Sequence, residues 1–219
     1  MNRRRKSPEE TRASLVEATV KLILGQGFAA TRVDEICREA GVTKGAFFHH
    51  FASKEDIGKA AIDWWGRMGD RVYSPAWSDD GRDPLTRLNQ MLEIMHSFTE
   101  RPDPCVCVVG MMSQEYGQTD TPYRECCQQE LDNWTKQVAK LLAEAKKKHR
   151  PGTRFDPLTV ANFLNSLWQG SMLIAKTQGQ PRLIQDNLAI ARSYLLTLFP
   201  GQADRLRHRK PKTKLNQTS

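Results

Sequence analysis

Residues 31–54, TRVDEICREAGVTKGAFFHHFASK, constrain the fold more than any other stretch, because two short apolar-striped segments meet there at a single glycine. Thr31 stands where it can cap a first short helix, and Val33, Ile36 and Ala40 recur at the spacing of one buried face. Gly41 follows at once, and a glycine at a helix end marks a left-handed residue and a sharp turn. Val42 gives the turn an apolar anchor, and Thr43 caps a second helix running through Lys44, Gly45, Ala46, Phe47, Phe48, His49 and His50. A helix this short is unstable alone, so packing of Phe47 and Phe51 must hold it. That leaves Thr43, Lys44, Ala46 and His49 on a face with no apolar demand. A short rigid helix offering small, polar and cationic groups fits the major groove of B-DNA.

Charge distribution agrees with a polyanionic partner. The chain carries +8, of which Arg3, Arg4, Arg5 and Lys6 supply four and residues 201–219 a net five, leaving residues 7–200 at −1. Basic arms on a nearly neutral body gather phosphate backbones. The 219 residues, 39% hydrophobic with mean hydropathy −0.60, suffice for one large or two small domains. No apolar run approaches the ~18 residues of a membrane span, and MNRRRK lacks a following apolar stretch, so neither a membrane partner nor a secretory signal is expected. Cytoplasm is the expected location.

Periodicity predicts helices throughout and no sheet. Ser7-Pro8-Glu9-Glu10 is a capping box that starts the first helix, with Leu15, Ala18 and Leu22 on its buried stripe and Gly25-Gln26-Gly27 ending it. Phe28 is expected to plug the core of a three-helix head. Ser53 caps a fourth helix from Lys54 to about Tyr73, with Ile57, Ala61, Trp64, Trp65 and Met68 on its apolar side, and residues 74–84 read as a break. Further helices are expected near 84–101, 104–117, 122–150, 157–178 and 182–199. Leu131, Trp134, Val138, Leu141, Leu142 and Ala145 line one face of the third of these. The last two are too apolar to face water on both sides, so they should pair with their mates in a homodimer, with Leu195 in the seam.

The head resembles the DNA-binding signature of the tetracycline-repressor (TetR/AcrR) family. Its members carry a turn glycine and then a G-x-x-aromatic-x-His-Phe run leading to a lysine; here these are Gly45, Phe48, His50, Phe51 and Lys54. The match covers residues 8–60. It implies an all-α chain: a three-helix head (1–53), a six-helix ligand-binding and dimerising body that includes the connecting helix (54–200), and a basic disordered tail (201–219). It also implies a homodimer on double-stranded operator DNA with two half-sites. Lys44 is placed to reach guanine O6/N7, and Gly45 and Ala46 let the helix approach the groove floor. Phe48 replaces the family's usual tyrosine, keeping an apolar face for a thymine methyl but losing the hydroxyl. His49 and His50 suit phosphate contact; Thr31 and Lys54 stand at helix N-termini that favour phosphate; Arg32 is placed to read a base from the preceding helix.

Soft and aromatic side chains in the body supply candidate walls for an apolar effector cavity: Trp65, Met68, Met95, Phe98, Met111, Tyr116, Trp134, Phe163, Trp168 and Met172. Five cysteines give no disulfide framework; Cys37 reads as core, while Cys105, Cys107, Cys126 and Cys127 gather near the starts of two body helices. The segments Cys107–Glu115 and Trp168–Lys176 resemble the electrophile-responsive branch of the same family, in which a cysteine at the place of Cys107 and a lysine at that of Lys176 recur. This implies a thiol switch with an apolar or electrophilic effector. No metal or other cofactor is expected, for neither histidine nor C-x₂-C spacing supports a site. No Cys–His–Asp constellation is legible, so an enzyme is not expected. The chain therefore reads as a DNA-binding regulator, a repressor released from a palindromic operator by a small molecule. The alternative is a thiol- or metal-switched regulator using the body cysteines.

Overall fold

The computed structural model describes residues 7–101, 105–118 and 121–207, which form nine α-helices and one 3-10 turn, with no strand among them. The basic runs 1–6 and 208–219 lie outside the described residues. Helix α1 (Pro8–Gln26) starts on the expected capping box: Ser7 Oγ accepts the Glu10 N–H at 3.1 Å and the Glu10 carboxylate accepts the Ser7 N–H at 2.7 Å. It ends at Gly27 with φ +85°. Helix α2 (Val33–Ala40) and helix α3 (Lys44–His50) flank Gly41 at φ +67°, where the Gly41 and Val42 amides return to Arg38 and Cys37 carbonyls. Thr43 Oγ1 caps α3 by accepting the Ala46 N–H at 3.1 Å. Thr31 does not cap α2. It is fully buried with its hydroxyl donated to the Gly27 carbonyl at 2.7 Å, and Arg32 takes the cap position.

Helix α4 (Lys54–Trp77) runs a full turn beyond the expected end, through Pro75. Pro75 has no N–H for the Arg71 carbonyl, but the Ser74 hydroxyl donates to that oxygen at 2.8 Å. The carbonyls of Ala76 and Trp77 are then taken by the guanidinium of Arg87, at 3.1 and 2.8 Å, while Glu144 accepts a third bond at 2.9 Å. A buried guanidinium is tolerable only when its donors and charge are satisfied in this way. Arg87 thus ends α4 from α5 (Pro84–Phe98).

Helices α6 (Val108–Tyr116), α7 (Thr121–His149), α8 (Pro157–Gln178) and α9 (Arg182–Leu198) complete the body. Three apolar cores result. One unites α1–α3 with the start of α4 around Leu15, Ile36, Phe47, Phe51 and Ile57. One fills the body around Leu88, Met91, Leu142, Leu164 and Leu195. The third joins head to body: Val20, Ile23 and Phe28 meet Ala61, Ile62, Val109, Met112 and Tyr123. Phe28 belongs to this seam, edge-on to Tyr123 at 5.6 Å, and not to the head's own core.

Residues 201–207 correct the expected tail. Leu206 is fully buried, its carbonyl accepts from Arg192 at 2.7 Å, and the Arg207 carbonyl accepts from Asn89 at 3.0 Å. The apolar Leu206 within a basic segment is what docks it. Leu195 is likewise fully buried inside its own protomer, so it does not face a dimer seam.

Candidate nucleic-acid interface and effector cavity

Packing of α3 consumes Phe47 and Phe51 and leaves its other face outside. Thr43, Lys44, Gly45 and His49 are exposed, Ala46 and His50 half-buried, and Phe48 remains 51% exposed. The Lys44 ammonium pairs with Asp34 at 3.0 Å on the surface, and the two histidine rings touch at 5.0 Å. Arg32 is exposed at the N-terminal end of α2. A Cβ at Gly45 would meet only Thr43 Oγ1, at 3.9 Å, so nothing among the described residues demands a glycine there. Two expected phosphate contacts are corrected. Thr31 is buried, and Lys54 turns to the seam, its ammonium 4.6 Å over the Phe28 ring and 3.3 Å from the Ala29 carbonyl. Burial pushes the Lys54 pKa down, against the opposing pull of Glu115 and Glu35.

The same seam carries a link that no sequence pattern announces. Glu115, on the last turn of α6, accepts the backbone N–H groups of Phe28 and Ala29 at 3.1 and 2.7 Å. A Cβ at Gly27 would collide with that carboxylate, so the glycine both ends α1 and admits the contact. The body's shortest helix is thereby bonded to the turn that precedes α2.

At its other end α6 borders a cavity of about 490 Å³. Trp65, Met68, Phe98, Trp134, Trp168 and Met172 line it as expected. Four expected residues do not. Met95 is 1% exposed within the body core; Met111 packs in the seam; Tyr116 packs edge-on to Phe28 and tilted against Tyr123; Phe163 faces outward at 42% exposure. Tyr73 and Trp77 line the cavity unforeseen, because α4 was expected to stop at Tyr73. Their signal was present, since Tyr73 and Trp77 continue the Trp65 side of α4 at helical spacing. All five tryptophans of the chain line the cavity. Arg101, Asp70, Glu130, Asn133, Asn165 and Gln169 add polar groups.

Cys105 and Cys107 lie on the cavity wall, Cys107 as the N-terminal cap residue of α6. Burial and the neighbouring Cys107 push the Cys105 thiol up to about 11, against the pull of Arg101. Burial likewise raises Cys127 to about 11. Lys176 is not paired with Cys107. It is exposed on α8, away from the cavity wall, with its ammonium 3.9 Å from the Met111 sulfur. Among the described residues no three His, Cys, Asp or Glu side chains gather as a metal site.

The outer face of α8 and α9 is apolar where no described residue covers it. Phe163, Ile174 and Ile190 are 42, 44 and 60% exposed. Gly170 lies between them, where a Cβ would meet nothing within 4 Å. Phe163 packs edge-on to Tyr194 at 5.4 Å, joining the two helices into one surface. Among the described residues no helix is long and apolar enough to cross a membrane.

Comparison with known proteins matches this layout. A model of the family described as bacterial regulatory proteins, tetR family, matches residues 15–61, and one described as tetracyclin repressor-like, C-terminal domain, matches residues 84–191. Transcriptional regulator AcuR of Cereibacter sphaeroides is 29% identical over 174 residues, 77% of each chain. The HTH-type transcriptional repressor NemR of Escherichia coli is 26% identical over 195 residues, 86% of this chain and 95% of that one. The crystal structure of regulatory protein TetR from Rhodobacter sphaeroides superposes with a TM-score of 0.69 at 28% identity, covering 84% of this chain and 96% of the other. The reduced form of E. coli NemR shares the fold with a TM-score of 0.74 at 21% identity, over 84% and 95%.

Proposed function

We propose, for a chain that belongs to the TetR family of bacterial regulatory proteins, that it is a homodimeric repressor released from a palindromic operator by a small molecule in the body cavity. The observation that carries this reading is the seam: one short helix, α6, borders the cavity with Cys107 and Val109 and holds the head through Glu115. A ligand that displaces α6 therefore acts on the head directly. In the dimer such a movement changes the spacing of two recognition helices, which must lie about 34–36 Å apart to enter successive major grooves. DNA and effector then oppose each other through a coupling of about 1–3 kcal/mol. The cytoplasm, where the chromosome lies, is its place of action.

In the head, Lys44 is the base reader and Gly45 the point of closest approach to DNA, since the protein itself leaves that position open. Thr43, Ala46, Phe48, His49, His50 and Arg32 complete the surface. Pairing of the α8–α9 faces through Phe163, Ile174 and Ile190 makes the dimer.

Selection from random duplex DNA tests the reading. It should return an inverted repeat, and Lys44→Ala should relax one position in each half-site at a cost of about 1–3 kcal/mol. Recovery of no sequence preference, or equal weakening on scrambled DNA, would contradict it.

A second reading is favoured by the two thiols on the cavity wall: modification of Cys107 in place of, or together with, ligand binding. Cys107→Ser should then keep operator affinity and lose release by maleimides. Because the Lys176 ammonium is placed at the Met111 sulfur and makes no bond to Cys107, Lys176→Ala should leave the labelling rate unchanged.

A further inference from the structure

We propose that the effector is a lipophilic organic cation, an aromatic or aliphatic body bearing an ammonium group, seated where Glu130 crosses from α7 to α4. The proposal rests on the reading of the cavity as the effector site and names the ligand's chemistry. Glu130 lies against the α4 backbone at Gly66, where any Cβ would collide with its carboxylate. Asp70, one turn further along α4, shares the cavity rim. Asp63 and Arg67 are the other charges that Glu130 feels, and Arg67 is bonded to Asp63 by an i,i+4 ion pair. This end of the cavity thus has two carboxylates on its wall, Glu130 and Asp70, while Asp63 and the guanidinium already bonded to it lie outside the lining.

Burial first, then Asp70 and Asp63, push the Glu130 carboxyl above its ordinary range, and Arg67 opposes them only in part. Among the described residues no hydrogen bond or ion pair reaches Glu130; a half-buried anion so placed is costly, and a neutral or anionic ligand would deepen that cost by removing its remaining water. A cation supplies the missing partner. Arg101 does not fill that role. Its guanidinium lies 4.7 Å over the Phe98 ring, at the end of the cavity where Tyr73 meets Phe98, and it is not among the charges felt by Glu130. Gly66 and Tyr73 are separated by about 10 Å along α4. Indole faces from Trp64, Trp65 and Trp134 share the cavity with Glu130, and aromatic walls with a carboxylate are the surroundings that suit an ammonium group. A metal ion would need more oxygen ligands than gather here.

The five tryptophans provide the readout, since all of them line the cavity. The intact protein is loaded with the neutral probe N-phenyl-1-naphthylamine, followed by tryptophan quenching and energy transfer. Benzyltrimethylammonium, benzyl alcohol and benzoate then compete for it. Benzyltrimethylammonium should displace the probe at a concentration at least ten-fold below that of the other two. Glu130→Gln, which keeps the side chain's shape, should abolish that preference while leaving probe binding unchanged. Equal displacement by all three, or a preference that survives Glu130→Gln, would overturn the cationic assignment and leave the cavity reading standing. Failure of the neutral probe itself to bind would overturn both.

Discussion

The head buries Phe47 and Phe51 and leaves its polar groups and one ring, Phe48, outside, whereas the body turns its tryptophans toward an internal space and leaves an apolar face outside. In the head, the residues that touch DNA in our proposal are what remains after Phe47 and Phe51 have been used for packing. In the body, Trp64, Trp65, Trp77, Trp134 and Trp168 border a cavity of about 490 Å³ that the helices do not fill. A surface reader can be changed without changing stability, while an interior sensor shares its atoms with the core. The two regions should therefore respond oppositely to substitution.

The sharpest break of that comparison comes from α9. Leu195→Glu buries a charge in the body core, and an unpaired buried charge costs about 3–5 kcal/mol, so loss of the helical signal by circular dichroism is expected. Ile190→Glu, on the exposed face, should keep the helical signal and instead sediment as monomer with operator binding lost. A folded Leu195→Glu dimer would show that the inner and outer faces of α9 have been exchanged.

Adjacent phenylalanines in α3 sharpen the contrast within one turn. Phe47→Ala should cost about 3–5 kcal/mol by denaturant unfolding, as removal of a fully buried ring does. Phe48→Ala should cost no more than about 1.5 kcal/mol, the worth of its edge-on contact with Phe47, yet weaken operator binding. Equal unfolding midpoints for the two variants would remove the basis for calling one face packed and the other free.

Glu115→Ala tests the seam where the two regions meet. Loss of two charge-assisted bonds to Phe28 and Ala29 should lower stability by about 1–3 kcal/mol and speed amide exchange at those two residues ahead of the rest of the head. Unchanged exchange there would mean that the link does not hold the head. The smallest effect expected is one of pH. Although burial alone would raise it, Asp83 is held below the ordinary carboxylate range by the Leu85 N–H, His149, Lys148 and Arg205. A lowered folded pKa gives stability that is present above the unfolded value of about 3.9 and lost as pH falls through the folded value. Asp83→Asn should flatten the acid limb of the stability curve below about pH 4 and leave its alkaline side unchanged.

The head was legible because its constraints are local. A capping box, a turn glycine and two core phenylalanines act over three or four residues, and the structure returns each of them. What failed were long-range assignments. Thr31 looked like a cap until Gly27 took its hydroxyl, and Lys54 looked like a phosphate contact until Phe28 came beneath it. Phe28 itself was assigned to the head because its partners Tyr116 and Tyr123 lie far along the chain. In the body, periodicity did not tell core, cavity wall and outer face apart: Met95, Met172 and Phe163 all read as cavity wall, and only Met172 meets the empty space. The end of α4 was misplaced because Pro75 reads as a breaker, and its rescue by Ser74 and Arg87 depends on geometry.

The central claim is that the cavity and the recognition helix are two ends of one equilibrium, and reciprocal linkage tests it most directly. Any compound shown by tryptophan quenching to occupy the cavity should weaken operator binding, read by fluorescence anisotropy of labelled DNA. Saturating operator should weaken that compound by the same factor, within the roughly 5–150-fold span of such couplings. A compound that fills the cavity and leaves operator affinity unchanged would contradict the account.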